Sequence, residues 1–87
     1  MCRDTRALFE GSRIARFVNI EIVAIRKLVM LNRSATLEDL RIPPSNRLKP
    51  LAGNKAGYWS IRINDQWRIV FKFADGQAFE VEIVDYH

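Results

Sequence analysis

Hydrophobic residues recur along the chain with two different periods, and the period changes near Arg47. Before that residue, the segment 18–32 carries an apolar stripe spaced like one face of a helix. The stripe comprises Val18, Ile22, Ile25, Leu28 and Leu31, and it is widened by Val23, Val29 and Met30. A shorter helical segment, 4–9, precedes it, with Asp4 as its predicted N-cap. The pattern therefore predicts two helices in the first half of the chain.

After Arg47 apolar and polar positions alternate, which is typical of strands with one buried face. Three such runs occupy 58–64, 67–73 and 79–84, and a shorter extended segment, 48–51, precedes them. The predicted fold class is α+β, in which two N-terminal helices cover one face of a small antiparallel meander. Its other face is polar, and residues 1–87 are expected to form a single domain.

The first predicted hairpin has a register that can be derived from parity, because directly opposed residues share a face of the sheet. A three-residue loop at 64–66 opposes apolar residues to apolar ones. These pairs are Ile63 with Trp67, Ile61 with Ile69 and Trp59 with Phe71. On the polar face the same register opposes Arg62 to Arg68, a like-charge pair that destabilises a sheet. Either Glu82, diagonal to them, neutralises one arginine, or the two guanidinium groups hold a phosphate or carboxylate.

The second hairpin is predicted to turn through Asp75-Gly76-Gln77. This loop would bring four pairs of residues into opposition. They are Phe71 with Val81, Ile69 with Ile83, Lys72 with Glu80, and Arg68 with Val84. The third pair is an ordinary cross-strand ion pair, for which we expect a structural role.

The charge of the chain is concentrated in its middle. Residues 41–72 hold seven of the 14 Lys and Arg residues and one acidic residue, Asp65, whereas residues 73–87 hold four acidic residues and no basic ones. This distribution indicates a polyanion-binding surface or a solvated basic face. A single cysteine excludes an internal disulfide and a thiolate-cluster zinc site. With no membrane-spanning stretch and no signal peptide, the sequence indicates a cytoplasmic protein.

The end of the chain adds candidate chemistry, because Tyr86 and His87 follow the last predicted strand toward Arg68. Arginine, tyrosine, histidine and lysine without a metal-ligand set suit phosphoryl chemistry on RNA, where the ribose 2′-OH is itself the nucleophile. The chain has no P-loop, dinucleotide fingerprint or Ser-His-Asp signature. The residues alone therefore indicate a basic-faced sheet that binds either RNA or an acidic protein.

Three stretches of the sequence resemble the HigB family of toxins within the RelE/ParE superfamily. They are NRLKPLAG at 46–53, GYWSIRINDQWRI at 57–69 and VEIVDYH at 81–87. The similarity extends over residues 5–87. It implies the toxin of a type II toxin–antitoxin pair, which enters the A site of the 70S ribosome and cuts mRNA without a metal or other cofactor. Its implied partner is a HigA antitoxin, a helix-turn-helix protein, and we expect the two to form an oligomer.

The resemblance also implies roles for particular residues. Arg68 matches the strand arginine that steadies the scissile phosphate. Tyr86 and His87 match the C-terminal tyrosine and histidine of the family, and Asp85 matches the acid that precedes them. Lys49 matches a basic or imidazole residue of the Leu-x-Pro-Leu segment. All five are therefore predicted catalytic residues.

The basic segment supplies the predicted RNA-binding residues Arg47, Lys55, Arg62 and Lys72. Some relatives carry a lysine where this chain has Ala52, which removes one proton-transfer group. The alternative function is accordingly a toxin homologue that binds antitoxin or RNA without cleaving it.

A second difference from the family concerns the first strand, which family members place before the first helix. Here the chain passes almost directly into that helix, so we predict that this strand is missing. Either one edge of the sheet is left open to pairing with another chain, or residues 1–3 pair with it in shortened form, with Cys2 buried.

Overall fold

The computed structural model describes residues 2–85 as two α-helices followed by a four-stranded antiparallel sheet. The elements are α1 (Arg3–Phe9), α2 (Glu21–Arg33), β1 (Lys49–Pro50), β2 (Trp59–Arg62), β3 (Trp67–Ala74) and β4 (Gln77–Asp85). The strands lie in the order β1-β2-β3-β4, so consecutive strands are neighbours. The predicted α+β meander is therefore confirmed.

Both helices begin at positions other than those predicted. The N-cap of α1 is Cys2 rather than Asp4, which lies in the first turn. A 3-10 turn at Ala15–Phe17 precedes α2, which begins at Glu21 instead of residue 18. Because the helix starts later, Ile22 is 74% exposed, and the buried stripe is instead Phe17, Ile20, Ala24, Leu28 and Leu31. Within residues 2–85, no helix has the length and apolar character needed to cross a membrane.

The hydrophobic core lies between the helices and one face of the sheet. The helical half of the chain contributes Leu8 and the buried stripe from Phe17 to Leu31, and the strands contribute Ile61, Ile69, Phe71, Val81 and Ile83. These strand residues occupy alternate positions, as the period of two predicts. The opposite face of the sheet carries the polar residues.

The first hairpin has the predicted register. Trp59 pairs with Phe71, Ile61 with Ile69 and Arg62 with Arg68. The loop between them is held by Asn64, whose Oδ1 accepts hydrogen bonds from the backbone N–H groups of Gln66 and Trp67, each at 2.8 Å. The parity argument for this hairpin is confirmed.

The turn of the second hairpin is shorter than predicted. Asp75 and Gly76 alone form it, with φ angles of 53° and 77°, and Ala74 pairs with Gln77. An Asp-Gly pair favours this two-residue turn, because its twist matches that of the flanking strands. The predicted three-residue loop is therefore wrong.

A β-bulge in β4 compensates for the shorter turn. Glu80 has a φ of 50°, and the single residue Phe71 lies opposite both Glu80 and Val81. On the far side of the bulge the predicted pairs of Ile69 and Arg68 are present, but on the turn side Lys72 opposes Phe79 instead of Glu80. Phe79 consequently changes face and is 41% exposed.

The outer edge of β4 is covered in its middle by the start of the chain. The backbone N–H of Cys2 donates to the carbonyl of Val81 at 3.2 Å. The N–H of Ile83 donates to Oγ1 of Thr5, a fully buried residue of α1, at 3.0 Å. No strand precedes α1 among the described residues, yet these two contacts satisfy edge groups that a strand would otherwise pair. The open-edge alternative is therefore wrong for this part of β4.

We predict that Thr5→Val destabilises the protein by about 1–3 kcal/mol, because the isosteric change leaves the buried N–H of Ile83 without an acceptor. Chemical denaturation measures the loss, and amide hydrogen exchange at Ile83 should accelerate with it. Ser12→Ala is the control, since the Ser12 hydroxyl is exposed and has no hydrogen-bond partner among residues 2–85. Unchanged exchange at Ile83 in the Thr5 variant would contradict this account of the sheet edge.

Candidate functional site

The polar face of the sheet brings together several of the predicted site residues at the β1–β2–β3 end. Arg62 and Arg68 are opposed there, and Lys49 pairs with Ser60, which contacts Arg68. Arg47 precedes β1, and its backbone carbonyl contacts Arg68. We refer to Arg47, Lys49, Arg62 and Arg68 as the basic cluster.

Arg68 is the most buried member of the basic cluster, with 8% of its surface exposed. Its Nε donates to Oγ of the fully buried Ser60 at 2.9 Å, and its Nη2 donates to the carbonyl of Arg47 at 2.7 Å. These bonds fix both the position and the plane of the guanidinium group. A desolvated, fixed cation interacts with an anion more strongly than a solvated one.

The carbonyl of Arg47 is presented by a left-handed backbone conformation, with φ 47° and ψ 53°. The preceding residue, Asn46, is fully buried, and its Nδ2 donates to the carbonyl of Leu40 at 3.1 Å. Nζ of Lys27 on α2 donates to Oδ1 of Asn46. Burial lowers the pKa of Lys27, and the nearby charges of Arg26 and Arg62 lower it further.

Arg62 is half-buried, and its Nη2 lies 2.5 Å from Oδ1 of Asp65 in the adjacent loop. Asp65 is therefore a carboxylate that offsets the charge of one of the two opposed arginines, Arg62. The alternative in which Glu82 neutralises one of them stays a prediction. Since Asp65 is fully exposed, this ion pair is accessible to competing anions.

The other end of the polar face is built around Tyr58. Its hydroxyl donates to Oε2 of Glu80 at 2.6 Å, and Nζ of Lys72 lies 3.5 Å from the same oxygen. The predicted ion pair between Lys72 and Glu80 is thus present, although the bulge prevents the two residues from being directly opposed. The Nζ atoms of Lys55 and Lys72 lie 5.0 and 4.9 Å from the centre of the Tyr58 ring, within the range of cation–π attraction.

These contacts change the acidity of two groups in opposite directions. The hydrogen bond from Tyr58, followed by the charge of Lys72, lowers the pKa of the Glu80 carboxyl. The same hydrogen bond, followed by desolvation, raises the pKa of the Tyr58 hydroxyl. A groove of about 280 Å³ adjoins the pair and is also lined by Cys2, Val70 and Glu82.

The predicted catalytic residues at the end of the chain are only partly described. Tyr86 and His87 lie outside the described residues. Asp85 pairs with Trp67, so the register places it on the face opposite to that of Arg68. Its Oδ2 accepts a hydrogen bond from Nε2 of Gln66 at 3.1 Å.

Sequence reasoning missed three residues that hold the basic cluster: Ser60, Asn46 and Lys27. Ser60 could have been identified from the pattern, because it lies two residues before Arg62 on the same face of the strand, between two apolar residues. Lys27 could have been identified too, as a charged residue within the apolar part of α2. No signal identified Asn46, since its role depends on contacts made by the fold of 40–47. Among residues 2–85, no group of three or more His, Cys, Asp or Glu residues could hold a metal ion.

A family of toxins and two named bacterial proteins are similar to this chain. A family model described as the RelE-like toxin of type II toxin–antitoxin system HigB matches residues 9–87. Toxin HigB-1 of Vibrio cholerae is 47% identical over 60 residues, which are 69% of this chain and 63% of that protein. Endoribonuclease HigB of Proteus vulgaris is 46% identical over 41 residues, which are 47% of this chain and 45% of that protein. The chain thus spans less than two thirds of the length of these relatives.

We predict that Tyr58→Phe raises the pKa of Glu80 toward its ordinary value, because the hydroxyl that stabilises the carboxylate is removed. A carboxyl with a lowered folded-state pKa stabilises the fold above its unfolded-state pKa, and this contribution is lost as the pH falls through the folded-state value. The variant should therefore be less stable than the parent at neutral pH, and the difference should disappear in acid. NMR titration of the Glu80 carboxyl, with unfolding measured across the same pH range, tests both statements.

Asp39 provides an internal control for this titration. Hydrogen bonds from the backbone of Thr36 and Ala35 lower its pKa, and it makes no contact with Tyr58. Its titration should be the same in both proteins. An unaltered Glu80 titration in the variant would show that the hydrogen bond does not form in solution.

Proposed function

Since the chain belongs to the HigB-like family of RelE-like toxins from type II toxin–antitoxin systems, we propose that it is an endoribonuclease that cuts mRNA on the ribosome. The relative from Proteus vulgaris carries the name Endoribonuclease HigB. The observation that carries the proposal is the buried guanidinium of Arg68, oriented by Ser60 and the carbonyl of Arg47 on a basic sheet face. A fixed, desolvated cation of this kind stabilises the negative charge that develops on a phosphate in the transition state.

The proposed reaction is an attack by the ribose 2′-OH on the adjacent phosphate. The 2′-oxygen forms a bond to phosphorus, the bond from phosphorus to the 5′-oxygen breaks, and the products are a cyclic phosphate and a free 5′-OH. A base accepts the 2′-OH proton and an acid donates one to the leaving 5′-oxygen. Arg68 is proposed to hold the non-bridging oxygens, whose negative charge increases in the transition state.

The proton-transfer groups are proposed to come from Lys49, Tyr86 and His87. Lys49 is exposed on the face that carries Arg68, next to Ser60 in the register. For Asp85, the opposite face and the hydrogen bond with Gln66 favour an indirect role, in which it orients the end of β4.

The RNA strand is proposed to follow the polar face from the basic cluster toward Tyr58. Arg47 and Arg62 lie beside Arg68, and Lys55 and Lys72 lie at the far end beside Tyr58. These side chains neutralise phosphates and position the strand without reading its sequence.

The proposed partners follow from the family and from this surface. They are the A site of the 70S ribosome with its mRNA, and a HigA-type helix-turn-helix antitoxin that forms an oligomer with the toxin. The cytoplasm, where translation takes place, is the proposed location.

A second candidate function is a toxin homologue that binds antitoxin or RNA without cleaving it. Two observations favour it: Arg68 is largely buried by protein contacts, and Ala52 has no proton to transfer. Cleavage of RNA separates the two functions, since binding is common to both.

We predict that Arg68→Ala abolishes growth arrest when the protein is induced in a growing bacterium that carries a separately repressible antitoxin. Loss of one contact to the transition state costs about 3 kcal/mol, or a hundredfold or more in rate. Mapping of mRNA ends after induction measures cleavage directly. Arg68→Lys should also be strongly impaired, because lysine keeps the charge but lacks the planar fork that binds Ser60 and Arg47 together.

Two other substitutions serve as controls for this experiment. Arg33→Ala removes an exposed charge at the end of α2, far from the basic cluster in the sequence, and should leave toxicity unchanged. Lys72→Ala should have a mild effect. Circular dichroism and antitoxin binding report whether each variant folds. A folded Arg68→Ala protein with full toxicity would refute the catalytic assignment, and a parent protein that arrests no growth and cuts no mRNA would favour the second function.

We further predict that association with ribosomes weakens steeply with added salt. Each phosphate contact by the basic cluster releases condensed counterions, so the logarithm of the association constant falls linearly with that of the salt concentration. Co-sedimentation at increasing potassium concentration measures the slope, and the Arg62→Ala variant should reduce it by about one. Salt-independent co-sedimentation would count against electrostatic binding.

A further inference from the structure

We infer that Lys27 on α2 is a positioning residue for the site around Arg68, acting through Asn46 and Arg47. The inference rests on the proposed function, in which Arg68 contacts the scissile phosphate. Lys27 lies outside the polar face and is not one of the proposed RNA-binding residues. It is linked to Arg68 by a continuous path of hydrogen bonds and one peptide unit.

The first link in this path is between α2 and the turn that precedes β1. Lys27 is 8% exposed, and its Nζ donates to Oδ1 of Asn46, which is itself fully buried. No carboxylate among residues 2–85 forms an ion pair with Lys27. The side-chain amide of Asn46 is therefore the group that satisfies this buried ammonium.

The second link is the set of bonds made by the other end of the Asn46 amide. Its Nδ2 donates to the carbonyl of Leu40 at 3.1 Å, to that of Ile42 at 3.4 Å and to Sδ of Met30 at 3.2 Å. The acceptor bond from Lys27 fixes which way the amide faces, because only one orientation satisfies both ends. Asn46 thereby ties the 40–46 segment to α2.

The third link is between Arg47 and Arg68. Arg47 follows Asn46 directly, adopts the left-handed conformation and turns its carbonyl toward Nη2 of Arg68 at 2.7 Å. A shift of Asn46 would move this carbonyl and with it the guanidinium. A misplacement of about 1 Å can reduce a reaction rate a hundredfold, so the link matters for chemistry even when the fold is unchanged.

The energetic cost of Lys27 supports a role other than stability. A buried ammonium group without a counterion is expensive, and Arg26 and Arg62 nearby increase the cost. An apolar residue of similar length would avoid it. Replacing Lys27 by an apolar side chain removes the cost of burying its charge, which offsets the lost hydrogen bond, but it also releases Asn46 from its orientation.

The experiment compares Lys27→Met with Arg26→Met in the full chain. Both variants lose one positive charge at neighbouring positions of α2, but Arg26 is exposed and is not among the hydrogen-bond partners of the Asn46 side chain. The NMR signal of the Arg68 Nε–H, which donates to Ser60, reports the position of the guanidinium. Single-turnover cleavage of mRNA on programmed ribosomes gives the rate constant and the half-saturating concentration separately.

For Lys27→Met we expect a displaced Arg68 Nε–H signal and faster exchange of that proton. The cleavage rate constant should fall about ten- to a hundredfold, with the half-saturating concentration nearly unchanged. The melting temperature should stay within about 5 °C of the parent's, because loss of the buried charge offsets loss of the hydrogen bond. Arg26→Met should match the parent in the Arg68 signal and in both cleavage parameters, and its melting temperature should be equal or slightly higher, because the charge of Arg26 adds to the cost of burying Lys27.

Three results would overturn the inference. An unchanged Arg68 signal in Lys27→Met would show that Lys27 does not affect the position of the Arg68 guanidinium. Equal effects in both variants would show that charge, not position, is responsible. A Lys27→Met protein that does not fold would show that Lys27 supports the fold. Failure of the proposed function gives a different result, since a parent protein that cleaves no mRNA leaves the NMR comparison valid.

Discussion

The polar face depends on one constraint, which is that a guanidinium buried on an open sheet needs fixed acceptors. Arg68 meets it with the hydroxyl of Ser60 on the neighbouring strand and the carbonyl of Arg47 before β1. Leaving either donor unpaired in this position would cost about 1–3 kcal/mol, so the contacts that satisfy Arg68 also connect β3, β2 and the turn. The same hydrogen bonds therefore contribute to the stability of this region and set the orientation of Arg68.

The bulge in β4 has a comparable effect at the other end of the face. The two-residue turn at Asp75-Gly76 sets a pairing register between β3 and β4 that differs by one residue from the register of the buried pairs near Arg68. The extra residue at Glu80 reconciles them, and it exposes Phe79 as a consequence. It also leaves Glu80 within reach of both Tyr58 and Lys72, so a local irregularity in backbone pairing determines which carboxylate pairs with Lys72.

The features that depend on strand parity and hydrophobic period could be predicted from the sequence, whereas those that depend on individual contacts could not. The β2–β3 register followed from apolar residues opposing one another, and burial enforces that rule. The β3–β4 turn did not follow, because the conformational preference of Asp-Gly competes with parity and a bulge can satisfy both. Val18 and Ile22 were assigned to the core because a helical period has no fixed start, and the 3-10 turn before Glu21 moved the buried face.

The two ends of the polar face differ in how strongly solvent weakens their charges. Lys55 and Lys72 lie over the half-buried ring of Tyr58, at the more exposed end of the face, where water and salt screen them, so they suit reversible contact with successive phosphates. Arg68 is shielded from water and held in place by protein acceptors, so its charge is screened less and acts strongly at one fixed position. The difference in solvent screening thus suits one end of the polar face to RNA binding and the other end to the proposed reaction. It follows that substitutions at the exposed end alter mainly the affinity for RNA, whereas those that move Arg68 alter mainly the rate of the reaction.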